Sequence, residues 1–302
     1  MSELPHGQVL RSRYKVLSTL GRGSFSSVYL ADDAQWKGNL VALKEIRTEG
    51  FSHEEYVQLN SHFLQEAAFL MTLKHPGLPR VIEFFAEGSR YYLALEWIAG
   101  KTLEEVVLGQ DRVEEQEVVG WGLQMCSILA YLHHQKPYPV LLGDLKPSNA
   151  VLKYDGTLKL IDFGVARHIL PEQRRDFSLV SPGFSPPEQY TQFHVDERGD
   201  IYSLGATLYW CLTTAQLERF RFDIPRMRKL RPGASEALEN VLSTCLHPDP
   251  RLRYSSIIGV ARDLQEIRGE LERIEADNSP SDILTVLYKQ KKRDQGWRQF
   301  LS

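Results

Sequence analysis

The sequence predicts an α+β protein, with its strands gathered in the first hundred residues and its long helices after them. Three observations carry this. Apolar runs of strand length and composition occur at residues 14–20, up to residue 30, and at 41–44, 81–85 and 91–97. From residue 113 onward apolar residues recur at helical spacing, over 113–135, 201–212, 234–246 and 255–274. The chain has 302 residues, enough for one large domain or for two lobes around a cleft with a short tail.

Composition narrows the function. Apolar residues make up 42% and charged residues 25%, which predicts a soluble globule. A net charge of -3 gives no whole-protein drive toward nucleic acid. Cys126, Cys211 and Cys245 are far apart and odd in number, so neither a disulfide framework nor a zinc site is expected. No segment reaches the roughly 18 consecutive apolar residues of a membrane span, and the start, M-S-E-L-P-H-G-Q, lacks the apolar core of a signal peptide. A reducing cytoplasm is the compartment these features predict.

Taken in order, residues 1–13 are polar and read as an extended lead-in. The strand beginning at Tyr14 enters G-R-G-S-F-S-S-V, residues 21–28, and a second strand leaves it. Gly21 and Gly23 let the backbone turn tightly and bring amide groups close to phosphate oxygens. This loop joins two strands and does not open a helix, which argues against a dinucleotide site or a Walker A loop. Val41-Ala42-Leu43-Lys44 is the third strand, and a polar insert with helical character follows at 53–61. Residues 63–74 are helical by spacing, and Glu66 is the single acid among them. His133 and His134 end the helix at 113–135. Neighbours on a helix do not face each other, so they predict packing or surface roles and not a metal site.

The chemistry concentrates between Val140 and Gly164. Asp144, Lys146 and Asn149 are spaced D-x-K-x-x-N, and Asp162 opens D-F-G. Asp155-Gly156 lies between two short apolar runs and predicts a hairpin. Asn149 precedes one arm and Asp162 follows the other, so the turn sets a carboxamide beside a carboxylate. Hard oxygen ligands of this kind suit Mg2+. Asp144 is left to accept a proton, and Lys146 to meet a phosphate oxygen. Beyond lies a long polar segment ending G-F-S-P-P-E at Glu188, and D-I-Y-S-L-G begins at Asp200.

These motifs, in this order over residues 14–270, resemble the bacterial type of Ser/Thr protein kinase. The resemblance implies a bilobal kinase fold: a small lobe (14–98) holding a five-stranded antiparallel sheet and one helix, and a larger, mainly helical lobe (99–270). Residues 1–13 would lead in and 271–302 would form a tail, whose apolar start and basic end suit a helix docking on the domain, a contact for an acidic regulatory partner, or simply a solvated tail. ATP would sit between the lobes, lined by Leu20, Gly21, Gly23, Ser26, Val28, Ala42 and Val151, with the backbone of Glu96 and Ile98 at the adenine edge and Leu95 as gatekeeper. Lys44, held by Glu66, would meet the α- and β-phosphates. Asn149 and Asp162 would hold Mg2+, Asp144 would accept the proton of a substrate hydroxyl, and Lys146 would contact the γ-phosphate. Glu188 would pair with Arg253, and Asp200 would anchor the backbone before Asp144.

The function this implies is transfer of the γ-phosphate of ATP to Ser/Thr hydroxyls of protein substrates. The alternatives are a pseudokinase acting as a nucleotide-binding or scaffolding module, and a small-molecule kinase of related fold. Two departures from the family stand out. Ser26 replaces its third loop glycine, and Leu142-Gly143 replaces the His-Arg before the catalytic aspartate. Without that arginine, a phosphate on Ser178, Ser181 or Ser185 lacks its usual partner, which predicts activity without phosphorylation of the segment.

Overall fold

Alternation of apolar residues along the early strands builds one sheet that is covered on both faces. In a computed structural model, residues 4–22, 26–35, 38–46, 61, 63–64, 67–68, 70–88, 90–163, 166–169, 180–190 and 195–277 are described. Strands β1 (Val9–Leu10), β2 (Tyr14–Arg22), β3 (Ser26–Asp33), β4 (Leu40–Ile46), β5 (Val81–Glu87) and β6 (Arg90–Glu96) pair antiparallel in the order β1-β2-β3-β4-β6-β5. The five expected strands are present, and the short β1 is added at the edge. In β3, Ser27, Tyr29, Ala31 and Asp33 are buried while the residues between them are half-buried.

The two faces pack on different partners. Ile46, Leu93 and Leu95 join Phe63, Ala67 and Leu70 and continue into the core of the second lobe. The described residues between 61 and 72 are helical. On the opposite face Tyr14, Val16, Tyr29, Leu43, Phe85 and Tyr92 form a separate cluster with Leu4 and Leu10. Residues 4–13 are therefore part of the lobe and not an extended lead-in. Arg13 clamps them down through a two-pronged contact with Asp33 (Nε–Oδ1 2.7 Å, Nη2–Oδ2 2.6 Å), while the Arg11 amide donates to Glu87. Glu45 is buried on this face and is fully engaged, accepting from Tyr29 Oη (2.9 Å), Arg90 Nη1 (2.5 Å) and Tyr92 Oη (3.3 Å).

The second lobe comprises β7 (Gly100–Thr102), α1 (Leu103–Leu108), α2 (Glu115–His133), β8 (Val140–Leu141), β9 (Ala150–Lys153), β10 (Leu158–Leu160), β11 (Arg167–His168), α3 (Arg198–Thr213), α4 (Glu236–Cys245) and α5 (Ile257–Asp277). Thr102 starts α1 with a capping box to Glu105. Helix α3 is buried nearly all round, as its continuous apolar sequence predicts, and packs on α2, α4 and α5. At Gly205 a Cβ would lie 2.6 Å from Cys245 Cβ, so glycine is what lets α3 and α4 approach this closely. All three cysteines are buried and unpaired. Burial pushes the Cys126 thiol up to about 12. Helix α5 continues past residue 270, to Asp277, and so takes in the first residues of the expected tail (271–302); residues 278–302 lie outside the described residues, as does most of the insert at 53–61.

Candidate active site

The hairpin predicted at Asp155-Gly156 is present. Strands β9 and β10 pair with Leu152 opposite Leu158 and Ala150 opposite Leu160. Gly156 has φ +82°, the left-handed region that favours glycine, and Asp155 Oδ1 accepts from the Thr157 amide. At the open end the Ile161 amide donates to the Asn149 carbonyl at 2.9 Å. That bond brings the backbone of Asn149 alongside the residue before Asp162, the juxtaposition the spacing called for.

Before β9 the chain makes a 3-10 turn, Pro147–Asn149, which folds Asn149 back onto Asp144. Asn149 Nδ2 donates to the Asp144 carbonyl (2.9 Å) and to its Oδ2 (3.0 Å). Lys146 Nζ donates to the same Oδ2 at 2.8 Å and to Ser181 Oγ at 2.8 Å. Ser181 Oγ in turn donates to Asp144 Oδ1 at 2.6 Å. Both carboxylate oxygens of Asp144 are thus occupied by donors, one of them a serine hydroxyl. Charge-assisted bonds of this length are the stronger kind, and they hold the carboxylate in one orientation.

The backbone beneath Asp144 is pinned from inside the lobe. Asp200, fully buried at the start of α3, accepts from the Leu142 amide (2.9 Å) and the Gly143 amide (2.8 Å). Its third partner is His133 Nε2 at 2.9 Å. His133 is therefore more than a packing residue: it completes the shell of the carboxylate that anchors the loop. His134 stays exposed and bonds the Ala130 carbonyl of its own helix. Glu188 and Arg253 form the expected ion pair, with both terminal guanidinium nitrogens engaged at 2.7 and 2.8 Å. Arg253 also donates to the carbonyls of His247, Arg198 and Pro248.

Lys44 lies within β4 opposite Leu93 and is only 8% exposed. A strand-end lysine that faces solvent without nucleotide, the expectation from its place in the strand motif, does not describe it: the residue is buried inside β4. Its Nζ reaches Asp162 Oδ1 at 2.9 Å, across 118 positions of chain. Glu66 and Gly23 lie outside the described residues. Val28 stands opposite Lys44 and Gly21, Ser26 opposite Ile46, and Ala42 opposite Leu95. Val151 is buried, Glu96 and Ile98 are half-buried, and Leu20 is exposed.

One contact had no signal in the sequence. Lys159 of β10 meets Glu96 at 2.9 and 3.1 Å and the Leu78 carbonyl at 3.1 Å, while Glu96 also accepts from the Arg80 amide. It ties the crossing between the lobes to the strand that leads to Asp162. Burial pushes the Glu96 carboxyl up, but the Lys159 ammonium and the Arg80 amide outweigh it and hold the group below its usual range. Of the three serines named above, Ser185 is buried with its hydroxyl accepting from the Ser181 amide. Ser181 is bound to Asp144, and Ser178 lies outside the described residues.

Residues 14–266 match the family described as protein kinase domain. Serine/threonine-protein kinase C of Synechocystis is 29% identical, over 85% of this chain and 50% of its own. PknA of Nostoc is 31% identical over 86% and 47%, and PrkC of Bacillus subtilis 25% identical over 86% and 41%. The chain thus spans about half the length of these relatives or less. The crystal structure of the Mycobacterium tuberculosis PknI kinase domain, a double mutant, superposes with a TM-score of 0.70 over 88% of this chain and 100% of that one. At 22% identity that likeness concerns the fold.

Proposed function

The chain belongs to the protein kinase domain family, and on that premise we propose that it is a Mg-ATP-dependent kinase that phosphorylates Ser/Thr hydroxyls of protein substrates. The observation that carries this reading is the Asp144–Ser181–Lys146 triangle. The Asp144 carboxylate already accepts from a serine hydroxyl at 2.6 Å, with the Lys146 ammonium 2.8 Å from that hydroxyl's oxygen. A substrate hydroxyl presented to Asp144 meets the same chemistry.

In this reading Lys44, buried and aimed at Asp162, positions the α- and β-phosphates. Asp144 orients the acceptor hydroxyl and takes its proton as the new oxygen–phosphorus bond forms and the bond to ADP breaks. Lys146 balances charge on the transferred group. Leu20, Val28, Ala42 and Val151 cover the nucleotide, and the backbone of Glu96 and Ile98 faces the adenine edge. Asn149 and Asp162 are the residues that would hold Mg2+. An amide oxygen and a carboxylate are hard donors, and Mg2+ takes few protein ligands, completing its shell with water and phosphate. Among the described residues no group of three or more His, Cys, Asp or Glu forms a dedicated cage. Bound there, the ion offsets charge on the phosphate oxygens.

We extend the proposal to control. Gly143 offers no side chain to a phosphate, and of the candidate acceptors Ser185 is buried and Ser181 is committed to Asp144. Activity then needs no phosphate on the segment, and control passes to residues 271–302, a partner, or abundance. The three unpaired cysteines fit a cytoplasmic setting. Among the described residues no helix is long and apolar enough to cross a membrane.

The test is the purified chain with Mg2+, labelled ATP and a generic protein substrate, beside Asp144→Asn. Label on serine or threonine, absent from the variant, is the expected result. Mainly phosphotyrosine, or equal labelling in the variant, would sink the reading. Phosphatase treatment should leave the initial rate within about tenfold, equivalent to roughly 1.4 kcal/mol of barrier.

A further inference from the structure

Gly143 is held from both sides. Its amide donates to Asp200 Oδ1 at 2.8 Å, and its carbonyl, which belongs to the peptide joining it to Asp144, accepts from Gln189 Nε2 at 3.3 Å. Gly143 has φ +80°, so the chain passes through this point in a conformation that glycine tolerates and other residues resist. Gln189 is only 4% exposed. It sits in the 3-10 turn Pro187–Tyr190, next to Glu188, at the close of the polar segment after Gly164 that resembles a kinase activation segment. Glu188 is locked by the double contact with Arg253, and Arg253 is fixed by three backbone carbonyls. The position of the Gln189 amide is thus set by a buried ion pair and not by a mobile surface.

We infer that Gln189 is a positioning residue for Asp144: through the Gly143 carbonyl it joins the closing turn of the activation segment to the catalytic loop, with no phosphate in the link. The inference rests on the reading of Asp144 as the proton acceptor. The physical reason is one of orientation. The Gly143 N–H belongs to the peptide with Leu142, so the Asp200 contact leaves the Gly143–Asp144 peptide itself free to tilt, which strains the Asn149, Lys146 and Ser181 contacts that orient the Asp144 carboxylate. A donor on the carbonyl removes that freedom. The link needs only a neutral amide, so it is present in the unmodified chain. In kinases that use an arginine beside the aspartate, a phosphate supplies the corresponding tie between loop and segment. Here the segment's own glutamine supplies it.

The experiment uses the full chain carrying Gln189→Met, which keeps length and loses the donor, and Gln189→Glu, which loses the donor only while ionised. Turnover at saturating ATP, KM for ATP and melting temperature are measured beside wild type and Asp144→Asn. Gln189→Met should lower kcat about tenfold, the scale of one lost hydrogen bond at a positioned group. Its KM for ATP should stay within about twofold, since the nucleotide contacts are on other elements. Gln189→Glu should be slower still at pH 8, where its carboxylate faces a carbonyl oxygen. It should recover relative to wild type as the pH is lowered toward 6, because burial against a carbonyl oxygen disfavours the ionised form and raises the pKa of this glutamate, and a protonated carboxyl donates again. A role in folding alone predicts a lower melting temperature with kcat per folded molecule unchanged. Wild-type kcat in Gln189→Met overturns the inference, as does a Gln189→Glu to wild-type ratio that is flat with pH. Absence of turnover in the wild type itself, equal to Asp144→Asn, removes the reading of Asp144 and this inference with it.

Discussion

Replacing Asp200 tests how the loop under the active site is held. Its carboxylate is fully buried and accepts from two backbone amides and one imidazole nitrogen, at 2.9, 2.8 and 2.9 Å. Asp200→Ala removes all three acceptor contacts and leaves buried donors. A buried donor left without a partner costs about 1–3 kcal/mol. The loss of the carboxylate's own desolvation penalty offsets part of the sum, so the net expectation is about 3–5 kcal/mol. Asp200→Asn keeps one acceptor oxygen for the Gly143 amide and can donate to His133, but turns an N–H toward the Leu142 amide. It should therefore cost about 1–3 kcal/mol, one orphaned donor. The assay is urea unfolding with the slope compared between variants, so that a shift in midpoint reports stability. Both variants should lose kcat more than KM for ATP, because the freed amides lie next to Asp144. An Asp200→Ala variant within about 1 kcal/mol of wild type would refute the reasoning, by showing that the Leu142–Gly143 amides find other acceptors.

Lys44→Met should abolish turnover yet stay within about 1 kcal/mol of wild-type stability, since an apolar side chain of similar length replaces a buried charge; a large loss in thermal unfolding would contradict this. Glu96→Gln tests pH dependence. The folded pKa of Glu96 is depressed, so its contribution is complete above the ordinary glutamate pKa of about 4.3 and is lost as pH falls through the lower folded value. Wild type should exceed the variant in stability near neutrality, and the gap should close in acid; a gap that widens in acid would reverse the sign. Arg253→Met breaks the Glu188 pair and strips three carbonyls of their donor. It should cost about 3–5 kcal/mol in denaturant titration, whereas a neutral change would mean that Glu188 finds another cation.

What the sequence determined by itself was local. The D-G turn, the register it imposes on Asn149 and Asp162, and the D-x-K-x-x-N turn all follow from dihedral preferences and short spacings, which act wherever the chain goes. The helices came out within a few residues for the same reason: Glu115–His133 against an expected 113–135, and Glu236–Cys245 against 234–246. The tertiary structure alone decided which polar side chains meet. His133 and Asp200 are 67 positions apart, Lys159 and Glu96 63, Gln189 and Gly143 46. A lysine in β10 or a histidine ending α2 carries no mark of its partner, because hydrophobic periodicity says which face is buried and not what lies against it. Residues 4–13 show the same limit. They contain too few apolar residues for any period to register, and only the presence of an outer sheet face lined by Tyr14, Tyr29 and Tyr92 makes Leu4 and Leu10 core residues. Lys44 is the converse: its motif singled it out, but its burial and its contact with Asp162, 118 positions away, belong to the fold, which no short window of sequence contains.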